Sequence, residues 1–193
     1  MPRKKSPKNF QDKSGWNRTH LVLLIMLTVL GAYLRVEPAL FDAVHFGYDQ
    51  GVDISYVRSL VVEHKLSLIG RFTGLEGVFM GPLWTWILAV PYVISGGSPT
   101  ANELFFSGFG VVSIWLSYAI VRRMLSESAA MLTAFYVALS GAFLATSHIV
   151  LSPHPLSILM IPYLWFLWEI IEHGQEKFWP WLGLLRAYFF SLK

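Results

Sequence analysis

The chain has 193 residues, 54% hydrophobic and 14% charged, whereas an ordinary soluble domain is about a quarter charged. Its formal charge is +3 and it contains no cysteine, which excludes a disulfide framework, a thiolate metal site and a cysteine nucleophile. The charged residues are spread unevenly and leave long uncharged runs, which points to a bilayer rather than a large soluble core.

Residues 1–18 hold Arg3, Lys4, Lys5, Lys8, Lys13 and Arg18 against Asp12, a net of +5, while the rest of the chain holds nine basic and eleven acidic residues. Basicity confined to a short arm beside an apolar run is a topology signal and an attraction to anionic membrane lipid, not a nucleic-acid footprint. The arm is expected in the cytoplasm, with the protein multi-pass in the cell membrane. The apolar run that follows leads directly into Arg35 and Glu37 with no small-residue cleavage site, so it reads as an anchor and not a removable signal peptide.

A crossing helix needs about 20 mostly apolar residues, because each residue rises about 1.5 Å through about 30 Å of hydrocarbon. Four segments approach that length: about 17–36, 104–121, 129–151 and 155–171. Pro162 is expected to bend the last, which bundle packing tolerates. Glu169, near its end, is one turn from the cytoplasmic interface and can snorkel there. Segment 82–95 (PLWTWILAVPYVIS) is apolar and aromatic, but as a helix it would reach only about 21 Å, and Pro91 interrupts it. Its Trp and Tyr content suits an interface, so it is expected to be juxtamembrane or re-entrant. Leaving it out of the count puts Arg122 and Arg123 in the cytoplasm, as the positive-inside tendency requires.

The predicted fold class is therefore all-α: a polytopic transmembrane helix bundle of about four spans, forming one domain over 19–193. A long external first loop, about 37–102, carries the juxtamembrane helices. Within it, 50–64 predicts a helix with Val57, Leu60 and Val61 on one side, and glycines at 70, 74, 77 and 81 mark an irregular stretch. In the third span Ala130, Ala134, Ala138 and Ala142 recur every four residues, a stripe that lets another helix, including a partner membrane helix, approach closely. Segment 178–193 is too short to span and carries Arg186.

Carboxylates near a membrane surface can act as general bases toward a polar acceptor. Asp49 and Asp53 stand at i and i+4 and project from one helical face. Their spacing serves a second reading equally: Asp49 as a helix cap and Asp53 in the favourable first turn of the dipole. His148 and His154 flank Ser152-Pro153 with no carboxylate nearby, so no metal site is expected. No nucleophile elbow, P-loop or zinc-binding helix motif occurs, and no cofactor is implied.

Several short motifs stand in a telling order: Tyr48-Asp49-Gln50 after the first span, His64-Lys65-Leu66 with Leu68-Ile69-Gly70, then Gly81-Pro82-Leu83 before the aromatic segment. Ser147-His148, followed by Ser152-Pro153-His154-Pro155, comes after the third span. In order and spacing this resembles the N-terminal part of the GT-C glycosyltransferases of the family 39 type, which includes protein O-mannosyltransferases and lipid A aminoarabinose transferases. The resemblance covers about 21–171. It implies transfer of a sugar from a polyisoprenyl-phosphate carrier to an acceptor on the external face, with inversion. It also implies Asp49 as the base or positioning group with Gln50 beside it, and Glu76 as a second acidic candidate. His148 and His154 would stand at the turn where the family brings another polar group to the site.

The chain departs from the family pattern at Val52, Met80 and His148, where the family often carries a cation. That leaves Arg58, Lys65 and Arg71, with Asp53, as the remaining substrate-binding candidates. After 181–185 the similarity ends, so the expectation is the front portion of a longer catalytic bundle, a fragment that could be inactive alone. The competing reading, from another class, is a non-catalytic membrane subunit or scaffold packed through the alanine stripe.

Overall fold

The computed structural model describes residues 18–41, 43–73, 76–151 and 154–191, so the basic arm up to residue 17 and Ser152 lie outside the described residues. Eight helices follow in order: α1 (Arg18–Leu40), α2 (Tyr48–Val61), α3 (Leu83–Ser95), α4 (Pro99–Met124), α5 (Glu127–Leu139), α6 (Gly141–His148), α7 (His154–His173) and, after a 3-10 turn, α8 (Trp179–Ser191). Among the described residues the extended pairing is a single bridge between Phe72 and Phe79. The all-α bundle read from the sequence is thus the observed class.

Helix α1 runs for 23 residues, about 35 Å, and turns most of its apolar surface outward. Val22, Met26 and Val29 are more than half exposed, while Leu24, Gly31, Arg35 and Ala39 form its buried stripe. Such a surface is a liability in water and the stable arrangement in hydrocarbon. Helix α4, 26 residues long, is the second helix long and apolar enough to cross, and α5 with α6 makes a third as a pair bent by 48°. Local sequence sets their ends. Ser98 caps α4 by accepting from the Ala101 N–H, with Pro99 in the first turn, and Ser126 caps α5 by accepting from the Ala129 N–H. Arg122 and Arg123 close α4 where cations favour the dipole. The expected fourth span falls on α7, 20 residues with Pro162 inside.

Contacts fix the direction of each helix. At one end His20 of α1, Tyr118 and Arg122 of α4 and Glu127 of α5 gather around one carboxylate, with His20 Nδ1 at 3.4 Å, Tyr118 Oη at 3.3 Å and Arg122 Nε at 3.9 Å from Glu127 Oε1. Arg123 lies over the Trp165 ring of α7 at 5.6 Å. At the other end Val57 of α2, Trp84 and Leu88 of α3, Phe106 of α4 and Val150 form a buried cluster. Neighbouring long helices therefore alternate in direction. The start of α1 shares an end with Arg122 and Arg123, and the long first loop shares the other with the 149–151 turn.

Between these ends the core consists of Leu24, Ile114, Tyr118, Ala130, Ala134, Val137 and Ala138. Three residues of the alanine stripe are fully buried there, the close approach expected of small side chains. Ala142 is exposed, because the backbone leaves helical geometry at Ser140 (ψ 129°) and α6 sets off on a new axis. Arg35 stabilises this break. Its guanidinium is fully buried and donates to the carbonyls of Val137 (2.7 Å) and Ala138 (2.9 Å), groups that the interruption deprives of helical partners. Gly110 makes room, since a Cβ there would stand 2.6 Å from Arg35 Nε.

Helix α3 has 13 residues, about 20 Å, and joins α4 through Gly96 (φ +67°) and Gly97 (φ +95°). Trp84 at its start meets Phe106 in the second turn of α4, with ring centroids 5.4 Å apart. The segment therefore folds back along the opening turns of α4.

Candidate active site

The expected loop helix begins two residues earlier than the sequence pattern indicates. Its N-cap is Gly47, whose N–H donates to Gln50 Oε1 at 2.9 Å. Capping is thus carried out by Gln50 reaching back, and Asp49 sits inside the first turn instead of capping it. Val57, buried, and Asp53, 5% exposed, lie on the face turned toward α3.

A short ladder presents the partner cation. Gly70 N–H donates to Met80 O (2.9 Å), Met80 N–H to Arg71 O (2.8 Å) and Thr73 N–H to Val78 O (3.2 Å). The two backbones approach closely at its base, where a Cβ on Gly70 would stand 2.5 Å from Gly81 O. Glycine is therefore required there, and the irregular glycine stretch of the sequence is this ladder and its turn. The ladder aims Arg71 at α2. Arg71 Nη1 lies 3.2 Å from Asp49 Oδ1, 3.3 Å from Asp53 Oδ1 and 3.2 Å from the Asp49 carbonyl. Behind them Trp84 Nε1 donates to Asp53 Oδ2 at 2.8 Å.

One guanidinium thus serves two carboxylates with different surroundings. The Asp53 carboxyl is raised above its ordinary value, because burial outweighs the opposing Trp84 N–H and Arg71 charge. The Asp49 side chain is more than half exposed, and its second oxygen has no partner among the described residues. That oxygen can accept a hydroxyl proton from a bound acceptor. Two carboxylates against one guanidinium leave the cluster anionic, which suits orienting a nucleophile better than gripping a phosphate.

The remaining candidates are dispersed. Arg58 is exposed and nine residues along α2 from Asp49, about 14 Å away. Lys65 pairs with Glu63 at 2.9 Å and lines a groove with Tyr56, Ser59, Thr85 and Trp86 beyond the far end of α2. Glu76 is exposed in the ladder's turn and bonds to nothing among the described residues. His148 ends α6 and places Nε2 3.0 Å from Leu34 O, tying α6 to α1. His154 opens α7, and its side chain lies outside the described residues. Trp84 was hidden from sequence reasoning, because within a run of aromatics nothing distinguishes the indole that meets a carboxylate. Asn102 and Glu103 did carry a signal, as adjacent polar residues opening an apolar helix, and both are buried. Among the described residues no group of three or more candidate ligands could hold a metal ion.

A family model described as dolichyl-phosphate-mannose-protein mannosyltransferase matches residues 80–193. The match takes in Trp84 and helices α3 to α8, while α2 and Arg71 precede it. No curated protein and no solved structure shows a significant match to the chain.

Proposed function

Since the chain belongs to the dolichyl-phosphate-mannose-protein mannosyltransferase family, membrane glycosyltransferases of the GT-C type, we propose that it moves a sugar from a polyisoprenyl-phosphate carrier to a hydroxyl acceptor at the α2–α3 end of the bundle. That end is the external face of the cell membrane in this reading. The acceptor hydroxyl gives its proton to the open oxygen of Asp49, and the acceptor oxygen forms a bond to the anomeric carbon. The bond from that carbon to the phosphate oxygen breaks on the opposite side, the polyisoprenyl phosphate leaves, and the configuration inverts. Arg71 fixes the Asp49 carboxylate, and Asp53, itself held by Trp84, fixes Arg71. The transferred sugar is a hexose or pentose.

The observation that carries the reading is this chain of contacts: an accessible carboxylate, oriented through one guanidinium by a buried carboxylate and an indole. A surface pair made only for solubility has no such support behind it.

The test is transfer of radiolabelled sugar from lipid-phosphate mannose to a hydroxyl-bearing acceptor by the full chain in proteoliposomes. Asp49→Asn is expected to lower turnover by about 10²- to 10⁴-fold, the usual contribution of a positioned base. Full turnover by that variant refutes the role. Silent Asp49→Asn together with loss of assembly in Ala138→Leu would instead favour a scaffold.

A further inference from the structure

On the α4 side of Asp53 the chain encloses a small cavity where several segments converge. Gln50 and Asp53 of α2, Leu88 of α3, Asn102 of α4 and Val150 wall it, with Phe46 at its lip. Its volume is about 10 Å³, room for about one water-sized group. Three of the wall residues are polar and almost wholly buried: Gln50 at 7%, Asp53 at 5% and Asn102 at 4% exposure.

The hydrogen-bonding state of these three defines what fits. Both Asp53 oxygens are engaged, by Trp84 and Arg71. Gln50 Oε1 accepts from Gly47 N–H, which leaves its amide NH₂ as a donor. Asn102 Oδ1 is fully enclosed and has no hydrogen-bond partner. A buried acceptor without a donor is unfavourable and marks a place where something belongs. The missing group must donate to Asn102, accept from Gln50 and be no larger than a water. A carboxylate or phosphate is too large and cannot donate, and a methyl satisfies neither neighbour. A hydroxyl meets all three conditions.

We infer that this cavity is a subsite for one hydroxyl of the transferred sugar, with Asn102 as the positioning residue that reads it, an assignment that rests on the glycosyl-transfer reading above. The acceptor's reactive hydroxyl is used at the open Asp49 carboxylate, one helical turn away. The sugar is the substrate component that brings further hydroxyls at fixed spacing. Phe46, half exposed, offers an apolar lip for a pyranose face.

The experiment uses the full chain in lipid nanodiscs, with methyl α-mannopyranoside and its four monodeoxy analogues as probes and ligand-observed NMR as the readout. Wild type is expected to bind one deoxy analogue at least about 10-fold more weakly than the parent, since a site built around a hydroxyl rejects its absence strongly. Asn102→Leu, similar in shape, is expected to bind that analogue and the parent within about twofold. Asn102→Ala gives the same comparison where the leucine variant does not fold. Discrimination that persists in the variant overturns the subsite. So does a flat profile in wild type, the result of a cavity holding an ordered water only, and so does absence of binding. Transfer by Asp49→Asn separates the two ideas. Full turnover with the hydroxyl fingerprint intact sinks the Asp49 mechanism, whereas lost turnover with a flat profile sinks the subsite alone.

Discussion

Asp49 and Asp53 share a helix face and a guanidinium, and burial alone makes them different acids. For Asp53 the folded-state pKa is raised above its ordinary 3.8, with desolvation the largest cause. Below pH 3.8 the carboxyl is neutral in both folded and unfolded chains, and its favourable contribution is complete. As pH rises through the raised folded pKa, the fold must carry a buried charge and that contribution is lost. Wild type is therefore expected to lose stability relative to Asp53→Asn between about pH 4 and about pH 7, read from denaturation curves in mixed micelles. A difference that is constant across that range contradicts the assignment. Trp84→Phe keeps an aromatic ring against Phe106 but removes the N–H held by the carboxylate. It is expected to cost about 2 kcal/mol, the scale of a hydrogen bond to a charged group, measured by the same unfolding assay.

At the scale of elements, the bend between α5 and α6 depends on a side chain from α1. Arg35 supplies donors to carbonyls that a continuous helix would have used itself, and Ser107 Oγ in turn donates to the Arg35 carbonyl at 3.0 Å. Two glycines of α4 allow a controlled comparison. A Cβ on Gly110 would meet Arg35 Nε at 2.6 Å and Ser147 Oγ at 2.5 Å, whereas one on Gly108 would meet nothing within 4 Å. Gly110→Ala is expected to destabilise by about 1–3 kcal/mol, as overpacking does. Gly108→Ala is expected to be neutral or to stabilise by up to about 1 kcal/mol, since alanine is the better helix former. Equal thermal shifts for the two variants would show that Arg35 is not held as described. The alanine stripe belongs to the same level: its first three members pack as their spacing predicts, and the fourth is lost to the bend.

For the whole molecule, the alternating helices set two ends that face opposite sides of a bilayer. His20, Arg122 and Glu127 mark one, and the Asp53–Trp84 pair with Val150 marks the other. A chain without cysteine can be probed by single-cysteine variants without background. In intact cells an impermeant maleimide is expected to label Glu76→Cys at once, and Arg123→Cys only after permeabilisation. The opposite pattern would reverse the orientation and place the carboxylates in the cytoplasm, away from an external acceptor.

The sequence by itself determined the apolar helices, the long loop between the first two spans, the shared face of Asp49 and Asp53 and the small-residue contact along α5. Each is a local periodicity, and a helix repeats every 3.6 residues whatever surrounds it. It also located the glycine stretch before α3, though not its use as a ladder. What only the tertiary structure decided are contacts between groups distant along the chain. Asp53 meets Trp84 across 31 residues and Arg35 meets Val137 across 102, and no pattern along the chain encodes such pairings. The same reason separates the three candidate cations. Arg58, Lys65 and Arg71 are alike in the sequence, yet the ladder from Gly70 to Gly81 brings Arg71 alone of them to the carboxylates, because backbone pairing and not charge sets its position. It likewise explains why Asn102, an ordinary polar residue opening an apolar helix, becomes a buried acceptor once α2 and the 149–151 turn close around it.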